Sequence, residues 1–128
     1  GLSVAPNGEE IFFTCVTPGN GLMRIVKDGD TWSSPQLANL RQSNIFEYEA
    51  FYTQNGDSLY FTSEDQSKQQ FFFVTKTELG WGEASKLISV VNNEDVMWCS
   101  FSGNGNMYYT KISDFSTYCW ECKLNSVW

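Results

Sequence analysis

Three stretches of the chain share one form, a turn glycine followed by an aromatic run that closes on threonine: "NGEEIFFT" (Asn7 to Thr14), "NGDSLYFT" (Asn55 to Thr62) and "NGNMYYT" (Asn104 to Thr110). The threonines recur at an interval of 48 residues both times. Downstream in each copy stands an eleven-residue block ending in tryptophan: "LMRIVKDGDTW", "FFFVTKTELGW" and "YCWECKLNSVW". The blocks align without a gap, so that Lys27, Lys76 and Lys123 coincide, as do Trp32, Trp81 and Trp128. A period of this length marks a repeat architecture, in which no unit buries its own apolar faces and stacked neighbours supply the core.

Each unit reads as four short strands with turn signals at close spacing. In the middle unit they fall near Phe46 to Thr53, Ser58 to Ser63, Gln69 to Lys76 and Lys86 to Val90. Asn55-Gly56, like Asn7-Gly8 and Asn104-Gly105, is a tight-hairpin signal, because glycine accepts the positive φ that such a turn demands. The runs "LYFT" and "FFFVT" are apolar on consecutive positions, which predicts strands covered on both faces. A β-sandwich sheet normally keeps one wet face and would not produce three homologous copies. A propeller blade is packed between two others, so the expected fold is all-β, a β-propeller fragment of about three four-stranded blades.

The expected units are residues 1–43, a blade with its first strand largely missing; 44–92, a complete blade; and 93–128, a blade lacking its last strand. The blade junctions fall near Ser43-Asn44 and Asn92-Asn93. Three blades do not close a ring, so the chain reads as a piece of a longer propeller of roughly six to eight blades.

Composition restricts function more than it identifies one. Aromatic residues reach 16%, which favours strands. Fifteen acidic residues against eight basic ones give a net charge of −7, which offers no clustered cationic surface for nucleic acid. No run approaches the ~18 apolar residues of a spanning helix, so no membrane insertion by this segment is expected. Gly1 opens the chain with no basic-then-apolar leader before the strands, which leaves export open. Histidine is absent, which removes the commonest general base and metal ligand together.

Four cysteines remain: Cys15, Cys99, Cys119 and Cys122. The pair in "CWEC" has the gap of redox and zinc motifs, yet it sits in a strand-like run. Three strand steps of ~3.3 Å place the two on opposite faces about 10 Å apart, unsuited to a disulfide or a shared metal. Buried or half-buried thiols are expected here.

Carboxylates are the remaining acid/base material. Glu47 and Glu49 fall on the first strand of the middle unit, and Glu94 and Asp95 enter the third; first strands line a propeller's channel. A glycosidase needs two such groups about 5 to 10 Å apart, but spacing along the chain does not set that distance, and ordinary hydrogen-bonded carboxylates are the expectation. Glu64 and Asp65 in "SEDQSKQQ" could offer oxygens to calcium, without the alternating ligand positions of a calcium loop, so this reads as a polar turn. The aligned tryptophans could be sugar platforms. Their fixed place in the repeat favours inter-blade packing, with each lysine five residues earlier laying its stem on the ring.

"KDGDTW" (Lys27 to Trp32) invites comparison with the Asp-box of sialidases, Ser-x-Asp-x-Gly-x-Thr-Trp. Counting back from Gly29, the box Asp and Ser would be Lys27 and Ile25, so only the second half matches and the sister blocks lack it. A hairpin turn with a packing tryptophan is the expected role.

"YEAFYTQNGDSLYFTSE", "SFSGNGNMYYT" and "DGDTWSSPQL" resemble the repeat of TolB-like, WD-repeat-like β-propellers, in which a Ser-Pro-Asp-Gly turn precedes an apolar strand. The resemblance runs through all three copies. Asn7, Asn55 and Asn104 stand where the family has Asp, and Ala50 and Cys99 where it has a first-strand Pro. It implies a scaffold or binding propeller that recognises a protein, peptide or glycan through its loops and channel mouth, in a bacterial periplasmic or extracellular setting. Related propellers also gate peptidase domains or act on carbohydrates, so a sialidase-like hydrolase or a peptidase gate is the alternative. No family catalytic residue has a matching position here; no catalytic residue, metal or cofactor is expected, and the binding residues are not identified.

Overall fold

The computed structural model describes residues 1–16, 21–42, 45–88, 95–113 and 116–123, with the backbone alone for 112–113 and 116–123. The described residues form three antiparallel sheets. The first contains β1 (Leu2–Val4), β2 (Glu10–Thr14), β3 (Leu22–Asp28), β4 (Thr31–Trp32) and β5 (Gln36–Leu37). The second contains β6 (Glu47–Tyr52), β7 (Ser58–Asp65), β8 (Lys68–Thr77), β9 (Gly80–Trp81) and β10 (Ser85–Lys86). The third contains β11 (Asp95–Phe101), β12 (Asn106–Ser113) and β13 (Ser116–Lys123). In each sheet the first three strands pair in succession, and the short segments β4 and β5, like β9 and β10, both lie along the third strand as two pieces of a fourth; the first strands β1 and β11 each lie beside β6 where the sheets converge. This is the all-β, propeller-like arrangement of four-stranded units that the repeat predicts.

The consecutive apolar runs have the two-sided burial expected of them. From β7 and β8, Leu59, Phe61, Phe72 and Val74 join Phe12 and Leu22 in one core between the first and second sheets. The intervening Tyr60 and Phe71 join Val96, Cys99 and Met107 in a second core between the second and third. Phe61 and Phe71 are fully buried. Alternation along a strand thus feeds two cores from one sheet, and each such side chain contributes roughly 1.5–3 kcal/mol by leaving water.

The fourth strand differs from the expectation. Instead of one run from Lys86 to Val90, it is split: Trp81 pairs with Lys76 and Thr77 with Gly80, and after a break Ser85 and Lys86 pair with Phe73 and Phe72. The first sheet repeats the break, with Lys27 opposite Trp32 and Arg24 opposite Gln36. The tryptophan therefore opens the fourth strand and does not end the third. Ser89 and Val90, and both proposed blade junctions, lie outside the described residues.

The Asn-Gly turns do join first and second strands, through a longer loop than a two-residue one. Gly8, Gly56 and Gly105 donate their N–H to Ala5, Thr53 and Ser102, and each has a φ between 72° and 81°. Only the glycine takes the left-handed conformation, so the loop is four residues built on an ordinary turn. Asn55 accepts the Asp57 N–H at 3.2 Å and donates through Nδ2 to the Asp57 carboxylate at 2.8 Å. Asn7 treats Glu9 in the same way, at 3.1 and 3.0 Å. An Asp at either position would lose the donor and face a carboxylate, which explains why Asn stands where the resembling repeats have Asp.

Candidate binding site at the mouth of the inner strands

The inner strands carry a shared irregularity. Along β6 the ladder passes from Tyr48–Thr62 to Phe51–Tyr60, three residues against two, and along β11 from Met97–Thr110 to Ser100–Tyr108. Each extra residue is a β-bulge, and within it Glu49 (φ 56°) and Trp98 (φ 54°) occupy left-handed backbone. A bulge turns an N–H out of the ladder, and in each case the preceding sheet supplies the acceptor. The Glu49 N–H donates to Thr14 Oγ1 at 2.8 Å. Trp98 donates its indole and backbone N–H groups to the Glu49 carboxylate. Burial pushes the Glu49 carboxyl up, and the Trp98 hydrogen bond opposes it. Glu49 is thus a clamp between sheets. Sequence gave no sign of these bulges, because neither position is a glycine.

The other carboxylates are engaged similarly. Glu47 is buried and accepts the N–H groups of Leu40 at 2.9 Å and Arg41 at 2.6 Å, tying the crossover between sheets to β6. Burial pushes its carboxyl up, against the two backbone hydrogen bonds and the Arg41 charge. The Arg41 guanidinium continues the tie to Ser63 Oγ and the Glu64 carbonyl, and lies 4.0 Å above the Phe72 ring. Asp95 accepts the Gln69 N–H at 2.7 Å. Glu94, the neighbour of Asp95 at the entry to the third unit, lies outside the described residues.

Glu64 and Asp65 end β7 at a two-residue turn in which Gln66 and Ser67 both have positive φ. Asp65 pairs with Lys86 at 2.9 Å on the exposed surface, and that hydrogen bond pulls its carboxyl down. "KDGDTW" is likewise a two-residue hairpin turn, Gly29-Asp30, with the Thr31 hydroxyl donating to the Asp28 carbonyl at 3.0 Å.

Trp81 packs edge-on to Phe12 at 6.2 Å and beside Tyr52 at 5.9 Å, across the boundary between the first two sheets. The Lys76 ammonium lies 5.4 Å from its ring, because the ladder sets the two side by side. Trp32, in the first sheet, is 42% exposed, and Trp128 lies outside the described residues. Sequence reasoning did not anticipate the polar centre of this boundary, the buried Glu10. It accepts from the Tyr52 hydroxyl at 2.6 Å, from Trp81 Nε1 at 3.3 Å and from Arg24. Cys99 is buried, and desolvation pushes its thiol up to about 12, the state of an inert core residue. Cys119 and Cys122 fall within β13, opposite Thr110 and Met107, as the strand reading required.

Where the inner strands end, their turns enclose a groove. One hollow of about 440 Å³ spans Leu2, Val4, Phe51, Gln54 and Phe101, and a second of about 360 Å³ continues over Gln54, Asn55, Ser102 and Gly103. Thr53, Gln54, Phe101, Ser102 and Gly103 line both, so the groove crosses the turns of all three sheets. Phe51 and Phe101 meet at 6.0 Å in its floor. Among the described residues, no lysine, arginine, aspartate or glutamate lines either hollow.

No family model matches the sequence, and no curated protein matches it. Among solved structures the chain is similar to the crystal structure of a candidate 6-phosphogluconolactonase from Bacteroides uniformis ATCC 8492, at 12% identity and a TM-score of 0.52. The similarity covers 94% of this chain and 38% of that one. At that identity it bears on the fold.

Proposed function

We propose that this chain serves as a binding or scaffold element of a TolB-like, WD-repeat-like propeller, holding a protein, peptide or glycan at the mouth of its inner strands without transforming it. The observation that carries this reading is the uncharged lining of the groove. Chemistry on a glycoside or an ester requires a group that moves a proton or attacks a carbon. The described groove lining includes one titratable side chain, Tyr52, whose hydroxyl is already given to Glu10. Glu47 and Glu49, the carboxylates nearest to a catalytic role on sequence grounds, are occupied in joining sheets.

The test is a binding screen against peptide and glycan arrays, run beside turnover assays with a sialoside and a phosphosugar lactone. Saturable binding without turnover is expected. Hydrolysis of either substrate that disappears in Glu47→Gln or Glu49→Gln would contradict the reading.

A further inference from the structure

We propose that the open face of the first sheet is covered by the third sheet of a second copy of this chain, so that two copies close head to tail into a ring. The two cores display the contact that such a ring repeats. Between the first and second sheets, Phe12 of β2 lies 5.9 Å from Tyr52 of β6. Between the second and third, Tyr60 of β7 lies 4.8 Å from Phe101 of β11. The ladders make these equivalent positions. Val4, Tyr52 and Phe101 stand opposite Ile11, Leu59 and Met107, and Phe12, Tyr60 and Tyr108 each follow one residue later. Each core is thus built where a second-strand aromatic of one sheet meets a first-strand side chain of the next.

The same two positions stand open at the ends of the row. Tyr108, on the third sheet, is 40% exposed, whereas Phe12 and Tyr60 are buried. Val4, on the first sheet, is 47% exposed, whereas Tyr52 is buried. Trp32 faces Lys27 across its ladder as Trp81 faces Lys76, but it is exposed where Trp81 packs on Phe12 and Tyr52. Ile11 and Phe13 are only half-buried, while Leu59 and Phe61 at the counterpart positions of β7 are fully buried. The first sheet therefore presents, uncovered, the face by which the second sheet packs on the first. Exposed apolar surface of this kind marks an interaction face.

The repeat selects the occupant. A face built this way is covered by a sheet that carries an aromatic at the Phe12 position, and the third sheet carries Tyr108 there, open. One copy holds both halves of the contact at opposite ends of its row of sheets, so they meet only between copies. Such head-to-tail contacts close into a ring when the rotation per unit allows it. The convergence of the sheets at β1, β6 and β11 supplies a rotation, and twice the three described sheets falls within the roughly four to eight blades of closed propellers. Dilution parts the copies while the two cores inside each remain joined, so the middle sheet keeps the most protection.

Sedimentation velocity of the chain over a range of concentrations tests the proposal. Twice the mass of one chain is expected at the upper end. Trp32→Glu and Tyr108→Glu should each raise the dissociation constant about tenfold or more. Both side chains are exposed in a single copy, so melting temperatures of the dilute variants should match the parent's. An equimolar mixture of the two variants should recover the dimer, because one of its two contacts is then unaltered on both sides. Leu79→Glu, on an exposed turn, should leave the dimer intact. A monomer at every concentration would overturn the proposal and leave the noncatalytic binding role standing. A mass that grows beyond two copies would also overturn it, as would a mixture that stays monomeric or a dimer that Tyr108→Glu leaves unweakened.

Discussion

Glu10 shows how one residue can hold two sheets together. Its carboxylate collects the Tyr52 hydroxyl, the Trp81 indole and Arg24, so the Glu10→Ala variant leaves two half-buried or buried donors without an acceptor. A loss of about 1–3 kcal/mol is expected from the urea midpoint, part of it recovered when Tyr52→Phe is added. Glu49 gives a pH signature. Its pKa in the folded chain is raised by burial, so the folded state binds more protons than the unfolded state just above the ordinary carboxylate range. Stability from this group is present below the unfolded pKa and is lost as pH rises through the folded one. The melting temperature should therefore decline more steeply in the parent than in Glu49→Gln as pH rises above the ordinary carboxylate range. A carboxylate on a first strand was legible in the sequence. Its clamp role was not, because a bulge at Glu or Trp has no local signature and its acceptor comes from far along the chain, 35 residues away for Glu49 and 49 for Trp98.

At the level of the element, the turns were the most legible part. Asn-Gly before an aromatic run announced each first hairpin, and the comparison of "KDGDTW" with its sisters announced a second. What the sequence did not disclose was the break in the fourth strand, since Ser33 to Pro35 and Gly82 to Ala84 interrupt a ladder whose rungs lie on β3 and β8. The turn glycines separate local from tertiary constraint. Gly8 and Gly56 have similar positive φ, but a Cβ at Gly8 would meet nothing within 4 Å, whereas at Gly56 it would lie 3.0 Å from Pro6 Cδ and 3.3 Å from Cγ. Alanine at either costs about 1–2 kcal/mol for the left-handed backbone. Gly56→Ala should cost more than Gly8→Ala in parallel denaturation curves, because the rigid proline ring of the neighbouring turn must move. Equal losses would mean that the two turns are not in contact.

Across the whole molecule, the organising fact is that β7 and β8 supply both cores. Consecutive aromatic positions told that much, and the 48-residue period told what covers each face: another copy of the same unit. The groove could not be read in advance, since it is assembled from three turns that are far apart in sequence and whose polar side chains look available until their bonds are known. Sheets packed in this order impose a gradient of protection, because a strand covered on both faces opens only when neighbouring units separate. Native-state hydrogen exchange followed residue by residue measures it directly. Amides of Leu59 to Thr62 and Phe71 to Val74 should exchange slowest, and those of β1 and β5 markedly faster. Equal protection across the three sheets, or slowest exchange in the first sheet, would contradict a middle unit packed between its two copies.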